Sequence, residues 1–278
     1  MHIGILTCEI LSTEIKAVIE NTGFDTVFLV QPETINPVIG VLNKEVTERF
    51  LGDMADTGIT IKEKTLERII KEIREHNITD SLIIKVTELR LHDYPDKLLA
   101  AIDEGLKKLS SVADIVVLGY GLCGNSAQEV ERVIRGADVP VVIPRDEEGQ
   151  ILNNCIEIAI GKSKVQSLLR EEIGTFFMSP AGASIIKEPQ VILESAINIT
   201  AGRMNRNAAA DTPKIIKILT DHYKRVVKIC YSEADEKDVA FAKTVVNFAR
   251  EFGLEIKQVK GSSKVMLDAL RKESGGSK

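Results

Sequence analysis

Short β-branched runs alternate with longer amphipathic runs along most of this 278-residue chain, and that alternation limits the folds open to it. HIGILT (2–7), TVFLV (26–30), SLIIKV (81–86), DIVVLGY (114–120) and PVVIP (140–144) read as strands. Between them, the stretch from Glu9 to Glu20 puts Leu11, Ile15, Val18 and Ile19 on one helical face. Lys62 to Glu75 does the same with Leu66, Ile69, Ile70 and Ile73, and further helices are expected over 95–109 and 126–135. Strands joined by helices of this length pair in parallel through right-handed crossovers. DIVVLGY is apolar on both faces, as a strand covered by helices on both sides must be. The expected fold class is α/β: a doubly wound, mostly parallel sheet, with two Rossmann-like lobes as the variant.

The pattern sets an expected domain plan. Residues 1–198 form a main α/β domain with an insertion at about 31–80, of which 31–60 is less regular, broken by Pro32, Pro37, Gly52 and Gly58. This domain is also expected to hold a helix within 150–160 carrying Cys155, a strand GTFFMS (174–179) and a helix from Ala183. ITAGRMNRNAAADTP (199–213) is the clearest break in composition. After it, 214–272 reads as a C-terminal βαβ segment: a helix to His222, a strand RVVKICY (225–231), a helix 237–252 and a strand LEIKQV (254–259). It either completes the first sheet or makes a second lobe. A disordered tail is expected over 273–278.

Composition excludes several classes of function. The net charge is −5 with no basic block, and aromatics are 4% with no Trp, so neither a phosphate-tracking surface nor a stacking platform for nucleic acid is supplied. No run reaches the length of a membrane span, and MHIGILTCEILSTEIK turns acidic too early for a secretory signal. A cytoplasmic location is expected. In that compartment four dispersed cysteines point to ligands, nucleophiles or core residues rather than disulfides.

Their positions are informative. Cys8, Cys123 and Cys155 each lie just past an apolar run, and His92 closes LIIKVTELRLH in the same way. Sites in open α/β sheets are built at the carboxyl ends of strands. Three thiolates and an imidazole make a common tetrahedral zinc set, and the same ligands suit an iron–sulfur cluster with one atypical ligand. The separations, with no CxxC pair, exclude a compact zinc ribbon, so only tertiary structure could assemble the set. The bland alternative is that each cysteine is a small core hydrophobe.

Two other chemistries use the same residues. Cys123 could act as a nucleophile in its glycine-flanked turn, with His92 as base and Asn125 as an orienting or oxyanion donor. A non-catalytic small-molecule site in the same crevice is the third reading, with Arg145, directly after a strand, available to an anionic ligand. Gly119, Gly121 and Gly124 reproduce GxGxxG spacing, but this strand is not the first of the sheet, and a lone match carries little weight. Glu9 is either a carboxylate ligand or an acid complementing a helix N-terminus. Cys230, inside KICY, reads as strand core, and His2 and His76 as exposed.

LGYGLCGN (118–125) is also where the chain resembles a known family, the domain of unknown function 1638 of bacteria and methanogenic archaea. The other matching pieces are ILTCEI (5–10), LHDYPDKL (91–98), VVIPR (141–145), NNCI (153–156), GTFFMSP (174–180) and HYKRVVKI (222–229). Family members usually carry His-Asp before the third cysteine, where this chain has Asn153 and Asn154, and glycine after the first, where it has Glu9. The family brings no assigned activity. Its presence in methanogens implies a link to thiol or methyl-transfer chemistry of one-carbon metabolism, with a small molecule or a methyltransferase-type protein as partner. The chain lacks the Asp-x-His-x-x-Gly signature of a corrinoid carrier.

Overall fold

A computed structural model describes the chain over residues 1–32, 44–55, 57–88, 91, 94–186 and 222–274. These residues form two compact units, Met1–Ala159 with Ser263–Lys278, and Ile160–Ser262.

The first unit runs β1 (His2–Cys8), α1 (Ser12–Thr22), β2 (Val27–Val30), α2 (Lys44–Met54), β3 (Ile61–Lys64), α3 (Leu66–Glu75) and β4 (Ser81–Thr87). It continues through α4 (Pro95–Ser110), β5 (Ile115–Gly119), α5 (Ala127–Arg135), β6 (Val141–Val142) and α6 (Cys155–Ile160). Its six strands lie in the order β3-β2-β4-β1-β5-β6, every neighbouring pair parallel. This is the α/β doubly wound architecture the alternation predicts. β1 lies between β4 and β5 in the middle of the sheet, with Ile5 paired to both Ile84 and Val117 and each of the three fully or almost fully buried. α4 covers the sheet with Leu98, Ile102, Leu106 and Leu109, each burial stabilising by about 1.5–3 kcal/mol.

The topology fixes where a site can form. From β1 the chain moves toward β2, and from β5 it moves toward β6 on the other side. The exits of these two adjacent strands therefore diverge, which opens a crevice at their carboxyl ends.

The second unit holds α7 (Lys162–Glu171), β7 (Thr175–Met178), α8 (Pro180–Ile186), β8 (Arg225–Cys230), α9 (Glu233–Lys237), α10 (Val239–Phe252) and β9 (Glu255–Lys260). Its parallel sheet has the order β7-β8-β9. Met178, Val226, Cys230, Phe241, Val245 and Phe248 form its core, so Cys230 packs as strand core. Arg225 is buried and donates to Leu168 O (2.7 Å) and Thr175 Oγ1 (3.0 Å), tying α7 and β7 to β8. A last helix, α11 (Lys264–Ser274), belongs to the first unit, where it packs on α1 and β5.

Four expectations need correction. GTFFMS was placed with the first domain, but β7 pairs with β8, so the contact boundary falls near residue 160 rather than 198. The helix expected from Lys62 begins at Leu66, because Thr65 caps it by accepting from Arg68 N (3.4 Å), and Ile61–Lys64 pairs with β2 as a strand. The segment 31–80 is thus part of the first sheet where it is described. The helix expected over 237–252 is one helix, Val239–Phe252, which Asp238 caps by accepting from Ala240 N and Phe241 N (2.8 and 3.0 Å), and the short helix Glu233–Lys237 before it was not expected. α11 was not foreseen, and it runs through Ser274 into the expected tail. The linker 199–213 and almost all of the helix expected over 214–222 lie outside the described residues. Among those residues no helix is long and apolar enough to cross a membrane.

Candidate functional site

β1 ends at Cys8, which is 4% exposed and pairs in register with Thr87 of β4. On the other side of β1, Thr7 pairs with Gly119, the last residue of β5. The chain beyond Gly119 therefore starts its turn beside Cys8. In that turn Leu122 N donates to Leu152 O (2.8 Å) and Cys123 N to Asn153 O (2.7 Å). Cys123 takes the left-handed backbone conformation, φ 46°, and is followed by Gly124 at φ 91°. For a residue with a Cβ that conformation costs about 1–2 kcal/mol, and here the two backbone bonds hold it.

The glycines of this segment are explained by close approach. A Cβ on Gly121 would lie 2.5 Å from Asn154 N and 2.7 Å from Leu152 O; one on Gly124 would lie 2.9 Å from Pro95 Cγ. A Cβ on Gly119 would strike Thr7 Oγ1 at 2.6 Å. The GxGxxG spacing thus serves contact with β1, with the 152–154 segment and with the start of α4.

Cys155 opens α6, and its two predecessors set that start. Asn154 Oδ1 accepts from Glu157 N (3.0 Å), while the buried Glu157 carboxylate accepts from Asn153 N (2.7 Å) and Asn153 Nδ2 (2.9 Å). This is a reciprocal cap of the kind that fixes a helix entry angle.

These three segments bring the sulfurs together. The Cys155 thiol meets Cys123 and Cys8; hydrogen bonding to those two, ahead of burial, raises its pKa well above the ordinary thiol value. Cys8 and Cys155 are buried and Cys123 is half-buried, and all are free thiols. Among the described residues, no three His, Cys, Asp or Glu side chains already stand as a metal-ion shell. His92 lies outside the described residues; in sequence it stands three residues before Pro95, whose ring abuts Gly124.

Tyr120 was not singled out from the sequence. It is 2% exposed, and its hydroxyl has no hydrogen-bond partner among the described residues. Burial first, then the Cys8, Cys155, Cys123 and Glu9 charges, push its pKa well above the ordinary phenol value. A buried hydroxyl without a partner costs about 1–3 kcal/mol, so something must retain it. The available signal was an aromatic residue between two glycines at a strand end.

The remaining candidates are placed elsewhere or already engaged. Glu9 is buried and ion-paired with Arg49, Nη2 at 3.0 Å and Nε at 3.2 Å from the same oxygen. Asn125 Nδ2 donates to Leu122 O (3.2 Å), which ties its amide to the Cys123 turn with one of its two N–H groups. Arg145 is exposed at an edge, donating to Gly149 O (2.9 Å) and lying 3.5 Å from Glu131. Asp146 instead accepts from Glu148 N and Gln150 N in its own turn. His76 is exposed, whereas His2 is half-buried with Nδ1 2.9 Å from Ser81 Oγ.

A family model described as a protein of unknown function (DUF1638) matches residues 86–270. The chain belongs to the DUF1638 family. The matched range includes His92, Cys123 and Cys155 and starts beyond Cys8. No curated protein and no solved structure matches the chain.

Proposed function

We propose that this DUF1638 protein binds a soft or borderline metal ion, zinc in the first instance, through Cys8, Cys123 and Cys155, with His92 as the fourth ligand. The observation that carries this reading is the meeting of the Cys155 thiol with both other thiols at the diverging ends of β1 and β5. Thiolate-rich sets select such cations, and a metal binds by displacing the thiol protons. An iron–sulfur cluster is the alternative occupant of the same donors. A metal held there would act as a Lewis acid toward a thiol or methyl acceptor, the chemistry to which a role in one-carbon metabolism would belong.

The test is metal analysis of protein purified without oxygen, followed by titration with zinc and with cobalt. Stoichiometric metal, lost on Cys155→Ser and on His92→Ala, is the expected result. Protein that arrives metal-free and takes up neither ion overturns the reading. A second reading, Cys123 as nucleophile without metal, is favoured by one observation: Cys123 is the half-exposed member of the three. Selective modification of Cys123 by a substrate-like electrophile, in metal-free protein, is its signature.

A further inference from the structure

The two helical layers over the first sheet come from different parts of the chain. Positions along β1 alternate between them. Gly4 and Leu6 face α4: a Cβ on Gly4 would lie 3.4 Å from Leu109 Cβ, and one on Gly105 would lie 2.7 Å from Leu6 Cδ2. α4 and α5 pack on each other, so both connections that flank β5 run on this side. On the opposite face Thr7 pairs with Gly119, and a Cβ on Gly119 would lie 3.4 Å from Met266 Cε of α11. The helix behind the end of β5 is thus supplied by the last segment of the chain, which rejoins the first unit at Ser263.

Met266 is fully buried there and fills the room that Gly119, lacking a Cβ, leaves open. The unbranched methionine side chain suits such an irregular gap. Glycine is the residue least restrained by its own side chain, so the end of β5 owes its path to what packs on it. Cys8 directly follows Thr7, and the turn that carries Cys123 directly follows Gly119. We propose that Met266 is a positioning residue for the Cys8–Cys123–Cys155 site: its methyl group holds the ends of β1 and β5 at the spacing from which Cys8 and Cys123 converge. It acts through the backbone and not as a ligand. The Cys123–Cys155 pair depends on it less, because bonds from Leu122 N to Leu152 O and from Cys123 N to Asn153 O (2.8 and 2.7 Å) join those segments directly. For metal affinity the inference rests on the proposed function; for the spacing of the thiols it stands alone.

The deciding experiment uses the full chain with Met266→Ala, the volume-conserving Met266→Leu, and Leu270→Ala, which empties a buried position one turn further along α11. Each protein is assayed well below its melting temperature, and Met266→Val takes the place of Met266→Ala should the latter not fold. A short bifunctional thiol reagent is added to metal-free protein, and the crosslinks are read by peptide mapping. Met266→Ala is expected to lower the crosslinks from Cys8 to Cys123 or Cys155 severalfold, while the Cys123–Cys155 crosslink keeps its wild-type yield. Met266→Leu restores the wild-type pattern, and Leu270→Ala leaves it unchanged. A merely structural role for α11 would lower all the crosslinks alike, in Leu270→Ala as in Met266→Ala. Zinc affinity, measured by competition, is expected to fall by about 10–100-fold in Met266→Ala and to hold in Leu270→Ala. Equal losses in the two alanine variants, or a wild-type crosslink pattern in Met266→Ala, overturn the inference. Wild type that takes up no zinc overturns the proposed function instead, and the crosslinks still decide the role of Met266.

Discussion

Gly121 and Asn154 approach so closely that a Cβ on the glycine would sit 2.5 Å from the asparagine's backbone nitrogen. That contact lays the Cys123 turn against the segment leading into Cys155, and the bonds from Leu122 N and Cys123 N to that segment depend on it. The neighbour is backbone, which cannot swing aside as a flexible side chain would. Gly121→Ala is therefore expected to destabilise the first unit by about 1–3 kcal/mol and to separate Cys123 from Cys155. Denaturant unfolding gives the first quantity. The yield of a Cys123–Cys155 crosslink with a short bifunctional thiol reagent gives the second, and a wild-type yield would contradict the argument.

The pair Asn153–Asn154 forms a complete cap with Glu157 at the start of α6. An aspartate at 154 would keep the accepting oxygen that Glu157 N uses. Asn154→Asp is thus expected to leave stability within a few tenths of a kcal/mol, whereas Asn154→Ala costs about 1 kcal/mol by removing the cap. Thermal melts of the two variants check this. Equal losses in both would mean that the cap does not set the start of α6.

Much of this was legible in the residues. The sheet could be read because buried strands such as Ile115–Gly119 are continuous apolar runs and helices such as α4 carry a clear 3.6-residue stripe. The placing of Cys8 and Cys123 could be read because strand ends are where such sheets place sites, whereas Cys155 reaches them from the start of α6 rather than from a strand end. What escaped notice depended on partners distant in sequence. IKEK at 61–64 has no strand-like alternation of its own and is a strand because β2 offers it an edge. β7 leaves the first sheet because its partner is β8, some fifty residues on, across the composition break. Tyr120 drew no attention because an aromatic after a strand is ordinary; only its burial without a partner marks it.

Glu72 ties α3 to that edge strand. Its carboxylate accepts from Lys62 Nζ (2.9 Å) and pairs with Lys64, and hydrogen bonding from Lys64, then from Lys62, lowers its pKa from 4.5. The unfolded chain therefore binds the proton at a higher pH than the folded one. The stabilisation is present above about the ordinary carboxylate value and is lost as pH falls through the depressed folded value. Glu72→Gln is expected to flatten stability against pH in that acid window, with little change in slope at neutral pH. Urea midpoints measured for both proteins at a series of pH values from neutral to acid test it, and parallel curves would dismiss the pairing as a contributor.

Cys155 touches both other thiols while Cys123 alone is half-exposed, and this arrangement orders the outcome of oxidation. An azo-type oxidant such as diamide accepts two electrons and two protons from a pair of thiols and leaves one S–S bond. Its first attack falls on the accessible Cys123, and the thiol in reach to displace the adduct is Cys155. The expected product in metal-free protein is a Cys123–Cys155 disulfide, with Cys8–Cys155 arising by exchange and Cys230, in the core of the other unit, still free. Cys155→Ser should then block both disulfides and leave Cys123 as a mixed adduct with any added small thiol. Non-reducing peptide mapping distinguishes these products. A disulfide between Cys8 and Cys123 as the main product would place Cys155 away from the centre of the three and undo the geometry on which the metal reading depends.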